Sequence, residues 1–226
     1  MRKIQISLGE YYHIYNRGNN KQTVFYNNSD FARFLFLLLC LQSPFVFESM
    51  SRYTKLFVQS LALNMSEDVL GSIIANRFVD LVCFTLMQNH FHLILREKEE
   101  GGISRYLHRI LTAYTKYANI KYEKSGHVFQ GTFQAVHIKD NEQLLYLSAY
   151  IHRNPHELAR WQDREQQYPW SSYQDYCGVN RWGGLLQSDI LTSQFTNDKD
   201  YLEYVKSSGA KSNNILEDDH LDLFKA

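Results

Sequence analysis

Met87-Gln88-Asn89-His90-Phe91-His92-Leu93-Ile94-Leu95-Arg96 is the stretch whose reading decides the fold. Phe91, Leu93 and Leu95 alternate with His90, His92 and Ile94, which is the period of a β-strand. Alternation sends successive side chains to opposite faces, so both imidazoles project from the same face of a sheet. Just upstream, Phe78 to Leu86 is mostly apolar and reads as a buried strand. Met87-Gln88-Asn89 then forms the hairpin connection or a bulge. Two imidazoles on one strand face can share a divalent cation, which is half of a site.

A candidate other half lies in Asp140-Asn141-Glu142-Gln143-Leu144-Leu145-Tyr146-Leu147-Ser148-Ala149-Tyr150-Ile151-His152-Arg153-Asn154-Pro155. Asp140 is an N-cap with Gln143 placed to reach back, as in a capping box. Pro155 disfavours helical geometry at the residue before it, so the helix ends near Asn154. Leu144, Leu147 and Ile151 have the spacing of a core-facing stripe. Tyr146, Tyr150 and Asn154 recur every fourth residue on an adjacent stripe, which puts a phenol and an amide oxygen one turn apart.

These blocks resemble a known family. His90-Phe91-His92 is similar to the histidine-hydrophobic-histidine (HUH) motif. Tyr150-Ile151-His152-Arg153-Asn154-Pro155 is similar to the signature of single-tyrosine transposases, notably the REP-associated ones. The resemblance extends to Tyr11-Tyr12-His13-Ile14-Tyr15-Asn16-Arg17-Gly18-Asn19 and to Tyr168-Pro169-Trp170-Ser171-Ser172-Tyr173, so ordered blocks span most of the chain. A histidine pair alone is a weak signal, and sixteen tyrosines make Tyr114, Tyr117 and Tyr146 rivals to Tyr150. The interval to Asn154-Pro155 favours Tyr150.

The resemblance implies Tyr150 as nucleophile and His90, His92 and Asn154 as ligands of a divalent metal ion, magnesium or manganese. A free phenol ionises near pH ~10, so it needs a polarised phosphate to act at neutral pH. The implied reaction is single-strand DNA cleavage and strand transfer through a 5′-phosphotyrosine link at hairpin-forming repeats. The link conserves bond energy, and the chain accordingly carries no GxxxxGK[ST] phosphate loop. Gln88 stands where the family often has proline, which alters the hairpin and not the ligands. Relatives include dimers in which the tyrosine helix serves the partner's histidines, so a homodimer stays open. The rival readings are a domesticated, non-catalytic DNA-hairpin-binding protein of the same fold, and a metal hydrolase in which the tyrosine is incidental.

Working outward, Glu10 to Arg17 reads as a first strand closed by Gly18-Asn19-Asn20. Ser29-Asp30 offers an N-cap to a helix buried through Phe31, Phe34, Leu35 and Leu38. Residues 43–76 read as a helical insertion broken at Pro44. A long helix starts at Gly101-Gly102 and ends at Gly126, a fourth strand spans Phe129 to Ile138, and the Tyr150 helix follows. The order β-α-(insertion)-β-β-α-β-α predicts an α+β, ferredoxin-like split βαβ fold with a central antiparallel sheet. Residues 1–155 form the catalytic domain. Residues 156–226 form a C-terminal extension with short amphipathic helices around Asp198–Lys206 and Ile215–Phe224.

The chain of 226 residues has a formal net charge of zero, unusual for a nucleic-acid binder. Its charge is uneven, however. Between Gly101 and Lys139, Arg105, Arg109, Lys116, Lys121, Lys124 and Lys139 face only Glu123, while acids dominate from Asp198 onward. The basic residues are candidates for DNA-backbone contact, and Asn16, Arg17 and Asn19 for bases or phosphates. Cys40, Cys83 and Cys177 are scattered without a CxxC pair, as in a reduced cytoplasmic protein. Phe34–Leu41 is too short for a membrane span, and Met1–Glu10 lacks a signal-peptide core.

Overall fold

The histidine strand lies inside a sheet, paired with a neighbour on each side. A computed structural model describes residues 5–210. Strands β1 (Tyr11–Arg17) and β3 (His90–Glu97) are the middle pair of a four-stranded antiparallel sheet. β2 (Val79–Met87) flanks β3, and β4 (Gln134–Ile138) flanks β1, giving the order β2-β3-β1-β4. This is the expected α+β, ferredoxin-like arrangement. Gln88 and Asn89 make the β2–β3 turn, so the connection is a tight hairpin.

The remaining elements are α1 (Asn28–Cys40), α2 (Met50–Ser60), α3 (Glu67–Ala75), α4 (Gly102–Lys121) and α5 (Asn141–Arg153). Beyond them come α6 (Tyr173–Tyr176), α7 (Asp189–Thr192) and α8 (Asp198–Ser207). The sheet is covered on both faces. On one, Phe91 meets Phe34 of α1 and Phe129, while Tyr114 of α4 packs against Phe34. On the other, His90 and His92 share a face with Arg17, Tyr15, His13 and Thr85 by register, and α5 lies over them. Thr85 donates to the Ile151 carbonyl at 2.7 Å, tying α5 to β2.

Several local expectations are corrected by tertiary contacts. Asn27, not Ser29-Asp30, caps α1, its side chain accepting from the Ser29 and Asp30 amides. α1 is buried nearly all round, far beyond the four-residue stripe, because α2 and α4 both pack on it. Helix α4 stops at Lys121 and not at Gly126, which sits in the following loop with φ +87°. The fourth strand starts only at Gln134. Phe129 makes an isolated bridge to Gly18, and Gly131 at φ +67° breaks the extended run. Asp140 caps α5 through the Gln143 amide, but the Gln143 side chain reaches the Lys139 amide instead of that of Asp140. The expected Ile215–Phe224 helix lies outside the described residues.

Asp30 shows how a charge is kept inside this core. Its carboxylate is buried and accepts from Lys121 at 2.6 Å, Tyr122 at 2.6 Å, Tyr117 at 2.9 Å and the Tyr26 amide at 2.8 Å. Burial alone would raise its pKa, but these hydrogen bonds, Lys121 foremost, outweigh burial and hold it below the ordinary 3.8. The stabilisation is therefore complete above that value and is lost as pH falls below it. Asp30→Ala is expected to cost about 3–5 kcal/mol, because it strands buried donors and the Lys121 charge. Urea unfolding at neutral pH measures this, and a loss under about 1 kcal/mol would rank the cluster with exposed ion pairs.

Candidate functional site

α5 carries Tyr150, and Asn154 caps its C-terminus one turn on, as their spacing predicts; both meet the histidine face of the sheet. The Tyr150 ring stands edge-on to His92, centroids 5.7 Å apart at 88°. His90 and His92 lie 5.1 Å apart at 81°. His90 Nε2 is 3.4 Å from Asn154 Oδ1. All four residues belong to one chain, and Tyr150 and Asn154 are buried.

The hydrogen bonds around this group orient its polar atoms. The Asn154 amide nitrogen donates to the Tyr150 carbonyl at 2.9 Å, which turns Oδ1 toward His90. The Asn89 amide nitrogen faces the Lys21 carbonyl at 3.4 Å, leaving Asn89 Oδ1 to accept from His90 Nδ1 at 2.6 Å. A neutral His90 protonated at Nδ1 points an Nε2 lone pair at the Asn154 oxygen. Two acceptors converging in this way fit a shared cation.

One residue here had no role in the sequence reading. His13 on β1 is fully buried, its Nε2 2.9 Å from His92 Nδ1, with the two rings stacked at 21°. Burial lowers its pKa to about 3, so it is neutral. Its Nδ1 has no hydrogen-bond partner among the described residues. The signal available in the sequence was a histidine on the neighbouring strand, but its closeness to His92 depends on the β1–β3 register.

The residues suggested for DNA contact are dispersed. Arg17 pairs with His90 in the register, beside the histidine face, and its Nε donates to Gln130 at 2.9 Å. Asn19 is exposed close by. Asn16 is buried on the opposite face, its Oδ1 accepting from the Arg17 amide. Arg105, Arg109 and Lys116 ride on α4, across the sheet from α5. Arg105 contacts Glu99, and Arg109 donates to the carbonyls of Leu41, Ser43 and Phe45. Lys121 serves Asp30, Lys124 donates to the Tyr26 hydroxyl, and Lys116 and Lys139 are exposed. His152 points away from the site, buried between the Tyr201 hydroxyl at 2.7 Å and Ser172 Oγ at 2.9 Å.

The fold is shared with a tyrosine transposase. A solved structure of the REP-associated tyrosine transposase bound to a REP hairpin aligns with TM-score 0.52 over 84% of this chain and 92% of that one. Identity between the two is 13%, so this likeness speaks for the fold alone. Residues 40–154, half of the chain, match the family described as Transposase IS200 like, and the chain belongs to that family. Comparison with curated protein sequences returned no match. Among the described residues, no helix is long and apolar enough to cross a membrane.

Proposed function

We propose that this transposase cleaves and rejoins single-stranded DNA at hairpin-forming repeats, with Tyr150 as the nucleophile. A divalent cation, magnesium or manganese, would be held by His90, His92 and Asn154. The observation that carries this reading is the convergence of those three side chains with the Tyr150 ring within one chain. When bound, the cation supplies Lewis-acid polarisation of the scissile phosphate. The Tyr150 hydroxyl attacks phosphorus, forming the Tyr–O–P bond as the bond to the 3′ oxygen breaks. The phenolic proton goes to water, and the departing 3′ oxygen gains one. Reverse attack by a 3′ hydroxyl restores the diester and the phenol.

Asn154, anchored to the Tyr150 carbonyl, fixes the spacing of nucleophile and ligand on a rigid helix. Arg17 and Asn19, at the end of β1 nearest His90, are the best placed of the suggested residues to meet a phosphate. Residues 1–155 would form the catalytic unit, with 43–76 inserted and 156–226 appended. The hairpin bound by the structural neighbour is the model for this protein's substrate. Since Tyr150 meets the histidines of its own chain, a monomer would suffice.

The test is incubation with a panel of single-stranded hairpins in manganese, magnesium or EDTA, followed by a denaturing gel. A metal-dependent protein–DNA adduct is expected. Tight hairpin binding without adduct in either metal would replace this reading with that of a non-catalytic hairpin binder.

His13 has a defined part in this scheme. For His92 to offer an Nε2 lone pair, its Nδ1 must carry the proton and donate to His13 Nε2. His13→Ala is therefore expected to weaken manganese binding about tenfold or more, the usual effect of removing a ligand's hydrogen-bond partner. Calorimetry on the DNA-free protein reads this directly, and unchanged affinity in a folded variant would remove His13 from the scheme.

A further inference from the structure

Beyond Pro155 the chain winds through short 3-10 helices at Asn154–Glu157 and Glu165–Gln167. That path gathers His156, Asp163 and Glu165, whose ligand-type atoms lie within 4.8 Å of one another. Glu165 is buried, with its Oε1 2.5 Å from His156 Nδ1. Asp163 and Glu165 also line a cavity of about 230 Å³ walled by Arg153, Tyr173, Val205 and Lys206. Tyr173 is 1% exposed, yet its hydroxyl has no hydrogen-bond partner among the described residues. Buried hydroxyls are seldom left so. Burial above all, reinforced by the negative charge of Glu165, keeps this phenol protonated.

We propose that His156, Asp163 and Glu165 form a second cation site, separate from the histidine pair, which takes a divalent transition metal of the zinc class. One imidazole nitrogen and two carboxylate oxygens make a donor set that zinc, cobalt and manganese accept, and it is too small and too nitrogenous for calcium. The two carboxylates balance the dication. One guanidinium nitrogen of Arg153 donates to the Lys206 carbonyl at 3.4 Å, directing part of that group toward α8. A fourth ligand entering from the cavity meets the Tyr173 hydroxyl and supplies its missing partner. The ion would cross-link the loop between α5 and the Tyr168–Tyr173 segment, which packs behind the Tyr150 helix through His152 and Tyr173, stacked at 9°. The competing account of the same contacts is a plain His156–Glu165 hydrogen bond that closes the loop without metal.

The experiment uses the full, untagged chain carrying His90→Ala and His92→Ala, so that the other candidate site is silent. Zinc is titrated by calorimetry, and cobalt is followed by its visible absorption. Saturation at one equivalent is expected, together with a zinc-dependent rise in Tm. His156→Ala and Asp163→Asn should each weaken binding about tenfold or more and abolish the Tm rise. Asp163 is exposed, so Asp163→Asn remains decisive if His156→Ala does not fold. Absence of saturable binding, or binding undiminished in the folded variants, overturns the proposal.

Discussion

Tyr150→Phe is expected to abolish the covalent protein–DNA adduct while leaving hairpin affinity within about twofold of wild type. The substitution removes one oxygen and keeps the ring, so the edge-on contact with His92 at 5.7 Å survives. The helix is unaffected as well, since Asn154 bonds to the backbone of Tyr150 and not to its side chain. Loss of a covalent nucleophile has no substitute within the same step, so the adduct should fall by a factor on the order of 10³ or more. The comparison that matters is adduct yield against binding for the same oligonucleotide. Wild-type adduct from Tyr150→Phe would move the nucleophile elsewhere, with Tyr146, one turn earlier on α5, as the first alternative. A loss of binding equal to the loss of adduct would assign Tyr150 to the core.

His90→Ala and His92→Ala are expected to remove metal-dependent cleavage, each by about a hundredfold or more, and to weaken manganese binding in the absence of DNA. The two variants should differ in a second respect. His90 is half-buried beside the hairpin turn and held at Nδ1 by Asn89, so its removal costs less packing than that of the buried His92. His92 stacks on His13, and its loss leaves a fully buried imidazole without that partner. His92→Ala should therefore also lower stability, by about 1–3 kcal/mol, and by more than His90→Ala does. Cleavage unchanged in both variants would take the cation out of the mechanism. Equal destabilisation would mean that the His13 contact is not what holds His92.

Much of the framework was legible because it depends on local periodicity. The alternation in β3, the tight turn after Met87 and the helical spacing of Leu144, Leu147 and Ile151 each follow from neighbours a few residues away. The same holds for the shared stripe of Tyr150 and Asn154. Errors fell where a distant residue settled a local choice. Asn27-Asn28-Ser29-Asp30 offers several caps, and Asp30 is withdrawn from that role because Lys121, Tyr117 and Tyr122 claim its carboxylate. Arg109 reads as a candidate for DNA-backbone contact, yet the chain after α1 wraps its carbonyls around the guanidinium. Gly126 reads as a helix stop, although α4 has already ended and the glycine only shapes the loop.

The sequence by itself determined which side chains could share a face: two imidazoles on one strand, and a phenol and an amide on one helix. Periods of two and of about 3.6 residues are backbone geometry, and they hold wherever the segment ends up. Only the tertiary structure decided that the two faces meet, that His13 lies behind His92, and that His156, Asp163 and Glu165 gather beside a buried phenol. Those are contacts between segments far apart in the chain. They are set by strand register and by the packing of α5 over the sheet, which no local pattern encodes.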